Sequence, residues 1–178
     1  MVYHKVRNLD EIIKIIVPHF EKYPLITQKQ ADFILFKNIV ELMSKGEHLN
    51  NNGLTKIISL KAYLNKGLSD KLKIYYPNAI KVKRPEVDLL LSIDYNWVAG
   101  FFSGEVCFYI NIYKSKNHKL AYTLMLQIII GQHIRDTLLI SSLIDILGCD
   151  KIFERINRDM VILSISKFQY IIVKFYLF

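Results

Sequence analysis

Residues 97–106, Trp97-Val98-Ala99-Gly100-Phe101-Phe102-Ser103-Gly104-Glu105-Val106, are the stretch whose residue types and spacing could do chemistry. Ala99, Gly100, Ser103 and Gly104 fall on one side of a helix, so that face carries almost no side chain. Two such helices can approach backbone to backbone. Glu105, at the helix end, then meets its counterpart from the partner helix. Carboxylates gathered in this way make a dense negative site that binds divalent cations. The histidines, His4, His19, His48, His118 and His133, have no ligand spacing, which predicts structural or surface roles for all five.

The elements around that helix follow a simple grammar. Cys107–Tyr113 alternates as a strand, with Tyr109, Asn111 and Tyr113 on one face and Phe108, Ile110 and Ile112 on the other. Lys114-Ser115-Lys116-Asn117-His118-Lys119 is a polar hairpin tip, and Leu120–Ile130 returns as a second strand. Arg135–Leu147 is helical, with Leu138, Leu139, Leu143, Ile146 and Leu147 inward, and Gly148 ends it. Lys151–Arg155 and Met160–Ile165 form a second hairpin turned at Asn157-Arg158-Asp159, and Lys167 leads into another helix. The order is αββαββα. Trp97 reads as a core anchor, and Cys107 and Cys149 as small buried apolar residues.

Upstream, residues 9–76 read as helical. Leu9, Ile12, Ile13 and Ile16 mark an apolar helix face, which Pro18 and Pro24 should end. Thr27 and Gln30 could cap the next helix reciprocally, with Phe33, Phe36, Ile39, Val40 and Met43 inward and Lys45-Gly46 as its stop. Asn50-Asn51-Asn52-Gly53 reads as a turn before a third helix, and Leu68-Ser69-Asp70-Lys71-Leu72 caps one more short turn. Pro77-Asn78 and Lys81-Val82-Lys83-Arg84-Pro85 read as an extended basic segment, either a solvated connector or one that also touches phosphate. The boundaries are a helical segment 1–76, a linker 77–95 and an α+β unit 96–178.

Composition narrows the classes. At 178 residues the chain can bury a core without disulfides, since roughly 70% of the unfolded surface is lost at this size. Two cysteines exclude a disulfide framework or a Cys-rich zinc site. A net charge of +8 and a pI near 9.4 favour an anionic partner. The apolar runs Leu124–Ile130 and Tyr170–Phe178 are too short to span a bilayer, which needs about 20 residues, and no membrane partner is expected. The start shows no export or import signal. Nineteen Lys against five Arg, beside 27 Ile, is the skew of an AT-rich coding genome, and organelle genomes are a common source.

Residues 97–106 resemble the motif of the LAGLIDADG homing endonucleases and maturases, intron-encoded proteins typical of fungal mitochondria. Val98-Ala99-Gly100-Phe101-Phe102 takes the Leu-Ala-Gly-Leu-Ile part, Ser103 the first Asp, Gly104 the second Ala, Glu105 the catalytic acid and Val106 the closing Gly. The family also has a Gln closing the second strand and a Lys after the last strand, matched by Gln132 and Lys167. Pro24-Leu25-Ile26-Thr27-Gln28-Lys29-Gln30-Ala31-Asp32 and Lys66-Gly67-Leu68-Ser69 resemble the closing helices of a preceding repeat. Phe168-Gln169-Tyr170-Ile171-Ile172 faintly echoes Leu9-Asp10-Glu11-Ile12-Ile13, as two copies of one unit would.

The resemblance implies a half-saddle, four antiparallel strands along the DNA major groove backed by helices. It implies hydrolysis of phosphodiester bonds in double-stranded DNA at a long recognition site. Glu105 and the Gly104 carbonyl would bind Mg²⁺, Gln132 would order water, and Lys167 would offset charge on the phosphate. Tyr109, Asn111 and Tyr113 would face the bases, while Lys114, Lys116, Lys119, Arg155 and Arg158 would reach phosphates. Only one such motif is present, so the second acid would come from a homodimer or another half-enzyme through Ala99, Gly100, Ser103 and Gly104. Val106 would be strained by roughly 1–3 kcal/mol if its position needs positive φ. Family members continue beyond the position of Phe178, so Leu177, Phe178 and the back of the sheet would leave an apolar patch. These departures read as a fragmentary or decaying copy of a two-motif enzyme. The competing reading is a maturase that holds group I intron RNA without cleaving it.

Overall fold

The computed structural model describes residues 5–64, 67–77, 79, 82–87, 93–148, 152–155 and 159–171, with backbone only at 152–155 and at Tyr170. Of the positions singled out above, His4, Lys66, Asn78, Lys81, Cys149, Lys151, Asn157, Arg158, Ile172, Leu177, Phe178 and the side chain of Arg155 lie outside the described residues. The chain forms two compact units, Met1–Asp88 and Leu89–Phe178.

The first unit is helical. Asn8 caps α1 (Leu9–Glu11) by accepting from the backbone N–H of Asp10 and Glu11. A π-helical stretch, Ile12–Ile16, runs directly into α2 (Val17–Lys22). Pro18 therefore does not end the helix. Proline removes one donor and needs room for its ring, and the widened turn just before it supplies that room. Helix α3 (Lys29–Ser44) follows, and Gln30 Oε1 accepts from Leu25 N rather than completing a reciprocal cap with Thr27. Thr27 Oγ1 instead accepts from Lys29 N. Phe33, Val40 and Val17 form a small core with Ile12, Ile13 and Phe20 packed around it. Gly46, at φ 70, stops α3 in the left-handed region that glycine adopts without strain.

The expected turn at Asn50–Gly53 is instead the start of α4 (Asn51–Lys61), with Asn50 as the cap. Gly53 must be glycine there, because a Cβ would lie 2.0 Å from the Glu47 carbonyl oxygen. Ser69, within the Leu68–Leu72 stretch expected to cap a short turn, caps α5 (Asp70–Tyr75).

Although its neighbour Lys83 is exposed, Arg84 departs from the solvated-connector reading. Its Nη1 donates to Asp32 Oδ1 and to the Tyr63 carbonyl, and its Nη2 to the Gln28 carbonyl, each at 3.0 Å. The Asp32 carboxylate is buried, and Lys29 Nζ stands 3.8 Å from its other oxygen. Three acceptors shared between its two terminal nitrogens suit a guanidinium fork, which is why this cation is spent inside the unit and not on a phosphate.

The second unit is α+β. Helix α6 (Tyr95–Glu105) leads into β1 (Val106–Lys114) and β2 (Tyr122–His133), then α7 (Thr137–Leu147), β3 (Ile152–Arg155), β4 (Met160–Ile165) and α8 (Phe168–Ile171). The sheet is antiparallel in the order β1-β2-β4-β3. β2 runs to His133, three residues beyond its expected end, and so includes Gln132. Burial alternates along β4, with Val161, Leu163 and Ile165 packed against Ile128, Ile130, Ile140 and Leu143. Those alternate positions define the helix-covered face of the sheet. Leu138, expected inward, is 68% exposed, while Ile140 is fully buried. A short 3-10 turn at Ile134–Asp136 precedes α7 and rotates its inward stripe onto Leu139, Ile140, Leu143 and Leu147.

Candidate nucleic-acid interface and acidic site

Helix α6 is two-faced. Asp94 caps it, accepting from Trp97 N at 2.7 Å. Val98 is buried, and Trp97, Phe101 and Phe102 pack against the same core, with the Trp97 and Phe101 rings stacked 4.9 Å apart. The opposite side, Ala99, Gly100, Ser103 and Gly104, is exposed. A Cβ built on Gly100 or Gly104 would meet nothing within 4 Å, and the Ser103 hydroxyl donates back to the Ala99 carbonyl at 2.8 Å. The face is therefore smooth, apolar in effect and open to another backbone.

Glu105 is the last residue of α6 and is exposed, with no ion pair to it among the described residues. A helix end leaves its last carbonyls without intrahelical donors, and the macrodipole places partial negative charge there. The Gly104 carbonyl belongs to that end. Carboxylate, carbonyls and dipole together suit a hard cation. No group of three His, Cys, Asp or Glu side chains that could hold a metal occurs among the described residues. The donor set fits one half of a shared cation site.

Val106 has φ −79 and ψ 137, ordinary extended backbone, and pairs with Ile130 as the first residue of β1. The expected strain is absent because the chain passes straight from helix to strand, with no left-handed residue between. Any L side chain is accommodated there.

Strand register decides which candidates meet. Ile130 pairs with Val106, and Gln132 lies two residues further along β2, so Gln132 shares the Glu105 end of the sheet. Lys167 does not. Ile165 pairs with Ile128, and β4 runs away from that end, carrying Lys167 toward the level of Leu126 and Ile110. Four residues separate Ile110 from Val106, about 13 Å along a strand. Lys114, Lys116 and Lys119 are exposed at the β1–β2 tip, farther still from Glu105. The unit thus carries its carboxylate at one end and a lysine cluster at the other.

The uncovered face of the sheet begins with Tyr109, Asn111 and Tyr113, as the alternation of β1 predicted. Their cross-strand partners are Gln127, Met125 and Thr123, which the sequence reading did not single out. Extending the β1 alternation across the hairpin would have found them. Ile162 and Ser164 continue the same face on β4, at the positions between its buried residues. Cys107 also lies here and is exposed, not buried, since it has the same parity as Tyr109. On the helix-side face, Phe108, Ile110, Ile112 and Leu124 are more than half exposed, whereas Ile128 and Ile130 are buried under the helices. The apolar patch expected on the back of the sheet is therefore present among the described residues.

Comparison with known proteins accords with this arrangement. A model of the LAGLIDADG endonuclease family matches residues 1–40 and 98–178. The probable intron-encoded endonuclease 2 of Neurospora crassa is 37% identical over 179 aligned residues, covering 95% of this chain and 38% of that protein. The crystal structure of the LAGLIDADG homing endonuclease I-SmaMI bound to cleaved DNA superposes with a TM-score of 0.92 at 40% identity, covering 95% of this chain and 56% of that one. I-SmaMI bound to an uncleaved DNA target in the presence of calcium ions gives the same TM-score and identity, with 57% of its chain covered. The present chain thus spans well under two thirds of these relatives. With the helix, the acidic end and the four-stranded sheet in place and the family model matching most of the residues, the chain belongs to the LAGLIDADG endonuclease family.

Proposed function

We propose that this chain is a DNA-cleaving half of a homing endonuclease. It grips double-stranded DNA with the uncovered face of its sheet and hydrolyses a phosphodiester bond at Glu105 once a second helix of the same kind completes the acidic site. The observation that carries this reading is the placement of Glu105, an exposed carboxylate ending a helix with one face locked into the core and the other bare. The partner helix is one of the same kind, from a preceding repeat, a second copy of this chain or another half-enzyme. In this reading residues 1–76 close a preceding repeat, 77–95 lead out of it, and 96–178 are the repeat that carries Glu105.

Glu105 and the Gly104 carbonyl would hold a divalent cation, Mg²⁺ in the cell. Such a cation supplies Lewis-acid stabilisation of the leaving 3′ oxygen and makes water a better nucleophile at neutral pH. Gln132, at the same end of the sheet, hydrogen-bonds and orders water at the attacked phosphorus. Lys167 follows the end of β4 that runs away from Glu105, and there it neutralises backbone phosphate instead of the scissile one. Lys114, Lys116 and Lys119 do the same at the tip, and Arg155 and Arg158, of the β3–β4 hairpin, would reach phosphates as well. A four-stranded surface suits the wide major groove of B-DNA, whereas side chains do not enter the deep, narrow major groove of A-form RNA. The lysine-rich, isoleucine-rich composition and an intron-encoded relative support a mitochondrial gene.

The test is incubation of the chain with A·T-rich duplex DNA spanning an organelle exon junction, at low salt with Mg²⁺. Nicking or cutting that stops when the metal is chelated is the expected result. Cleavage that persists without metal would remove the metal site. No cleavage, with tight metal-independent binding of group I intron RNA, would replace the endonuclease reading by the maturase one.

The helix face gives a separate check. Gly100→Leu adds a side chain to open space, and replacing a helical glycine favours the helix by roughly 0.5–1 kcal/mol. The isolated chain should melt at the same temperature or a few degrees higher. Self-association by sedimentation equilibrium, and cleavage with it, should weaken about tenfold or more. An unchanged dimer would show that this face is not the contact.

A further inference from the structure

The uncovered face of the sheet has an unusual chemistry. Along β1, β2 and β4, from Cys107 to Tyr113, Thr123 to Gly131 and Met160 to Ser164, there is no Lys, Arg, Asp or Glu, and the one charged register position of this face lies on β3, where Arg155 pairs with Met160. The chain is otherwise strongly basic, with a net charge of +8, so this is not a shortage of cations. Its described lysines on this hairpin are at the tip. The face itself offers two carboxamides, Asn111 and Gln127, among Met125, Ile129 and Ile162. Gln127 stands directly across from Tyr109, and Asn111 from Met125, which makes the two carboxamides diagonal neighbours on adjacent strands. Diagonal positions on an antiparallel pair are about 7–8 Å apart, close to two base-pair steps of duplex DNA.

Base edges in the major groove discriminate between such surfaces. Reading guanine at O6 and N7 calls for Arg or Lys, and reading the cytosine amino group calls for Asp or Glu. A carboxamide instead pairs bidentately with adenine N6 and N7, and apolar side chains lie on the thymine methyl. We propose that this sheet face reads an A·T-rich segment of its target, with Asn111 and Gln127 each taking an adenine and Met125, Ile129 and Ile162 packing on thymine methyl groups. The inference rests on the DNA-binding reading above and adds the base composition that the site selects. Phosphate affinity and sequence choice are then separated in space, the first at the lysine-bearing tip and the second on the neutral positions of β1, β2 and β4.

The experiment is selection of bound duplexes from a random-sequence pool by the full chain at low salt, with calcium present to permit binding. The expected result is enrichment of A·T-rich sequences with adenine preferred at two positions within about two steps of each other. Gln127→Ala should relax the preference at one position about tenfold and Asn111→Ala at the other, with thermal melts of both variants matching the parent. Gln127→Arg should convert its position from adenine to guanine. A G·C-rich consensus overturns the inference while leaving DNA binding intact, as does a preference unmoved by all three variants. Binding without any sequence preference does the same. Failure to retain any duplex overturns the DNA-binding reading and the inference with it.

Discussion

Glu105→Gln is expected to lower metal-dependent strand cleavage by about a thousandfold or more while leaving duplex affinity within about twofold. A metal ion at a scissile phosphate is worth several kcal/mol of transition-state stabilisation, and each factor of ten in rate corresponds to about 1.36 kcal/mol. Glutamine keeps the shape and one acceptor oxygen but removes the charge that holds the cation. Glu105 is exposed and forms no ion pair among the described residues, so its neutralisation leaves the fold intact. Removing a negative charge beside DNA phosphates does not weaken the encounter. Single-turnover cleavage with Mg²⁺ and duplex binding in chelator separate the two effects. A variant that cuts at the parent rate would show that another group holds the metal.

Arg84→Ala should destabilise the first unit by about 2–4 kcal/mol. Truncation strands the buried Asp32 carboxylate and leaves the Tyr63 and Gln28 carbonyls without this donor. The full cost of breaking a buried pair, about 3–5 kcal/mol, is reduced here because the Arg84 side chain is partly exposed to water. For a unit of this size the melting temperature should fall by roughly 10 °C or more. Arg84→Lys should recover only part of the loss, since the donors of an ammonium radiate from one nitrogen and do not match acceptors spread over the two of a guanidinium. Asp32→Ala together with Arg84→Ala should cost less than the two single losses added, because neither charge is left stranded. Additive losses in the thermal melts would show that the two side chains are not coupled.

Much of the acidic helix was legible beforehand. Trp97, Val98, Phe101 and Phe102 repeat at helical spacing, and the small residues fill the opposite side, so both faces of α6 follow from period alone. The alternation of β1 likewise placed Tyr109, Asn111 and Tyr113 together. Capping was read correctly at Ser69, where one residue and its near neighbours decide the geometry.

Other features depended on partners distant in sequence. Pro18 looked like a helix stop until a π turn made room for it. Arg84 looked like part of a basic connector until Asp32, 52 residues away, claimed it. Val106 looked strained by analogy with a glycine, yet its backbone is extended. Cys107 looked buried by residue type, while its strand parity exposes it.

The amino-acid sequence by itself determined which faces this chain presents and where its acid sits, because side-chain direction within an element follows from backbone geometry over a few residues. Only the tertiary structure decided which ends of those elements meet. Pairing across β1, β2 and β4 fixes strand direction and register between segments tens of residues apart. That pairing sets Gln132 at the Glu105 end of the sheet and points the end of β4, from which Lys167 follows, away from it.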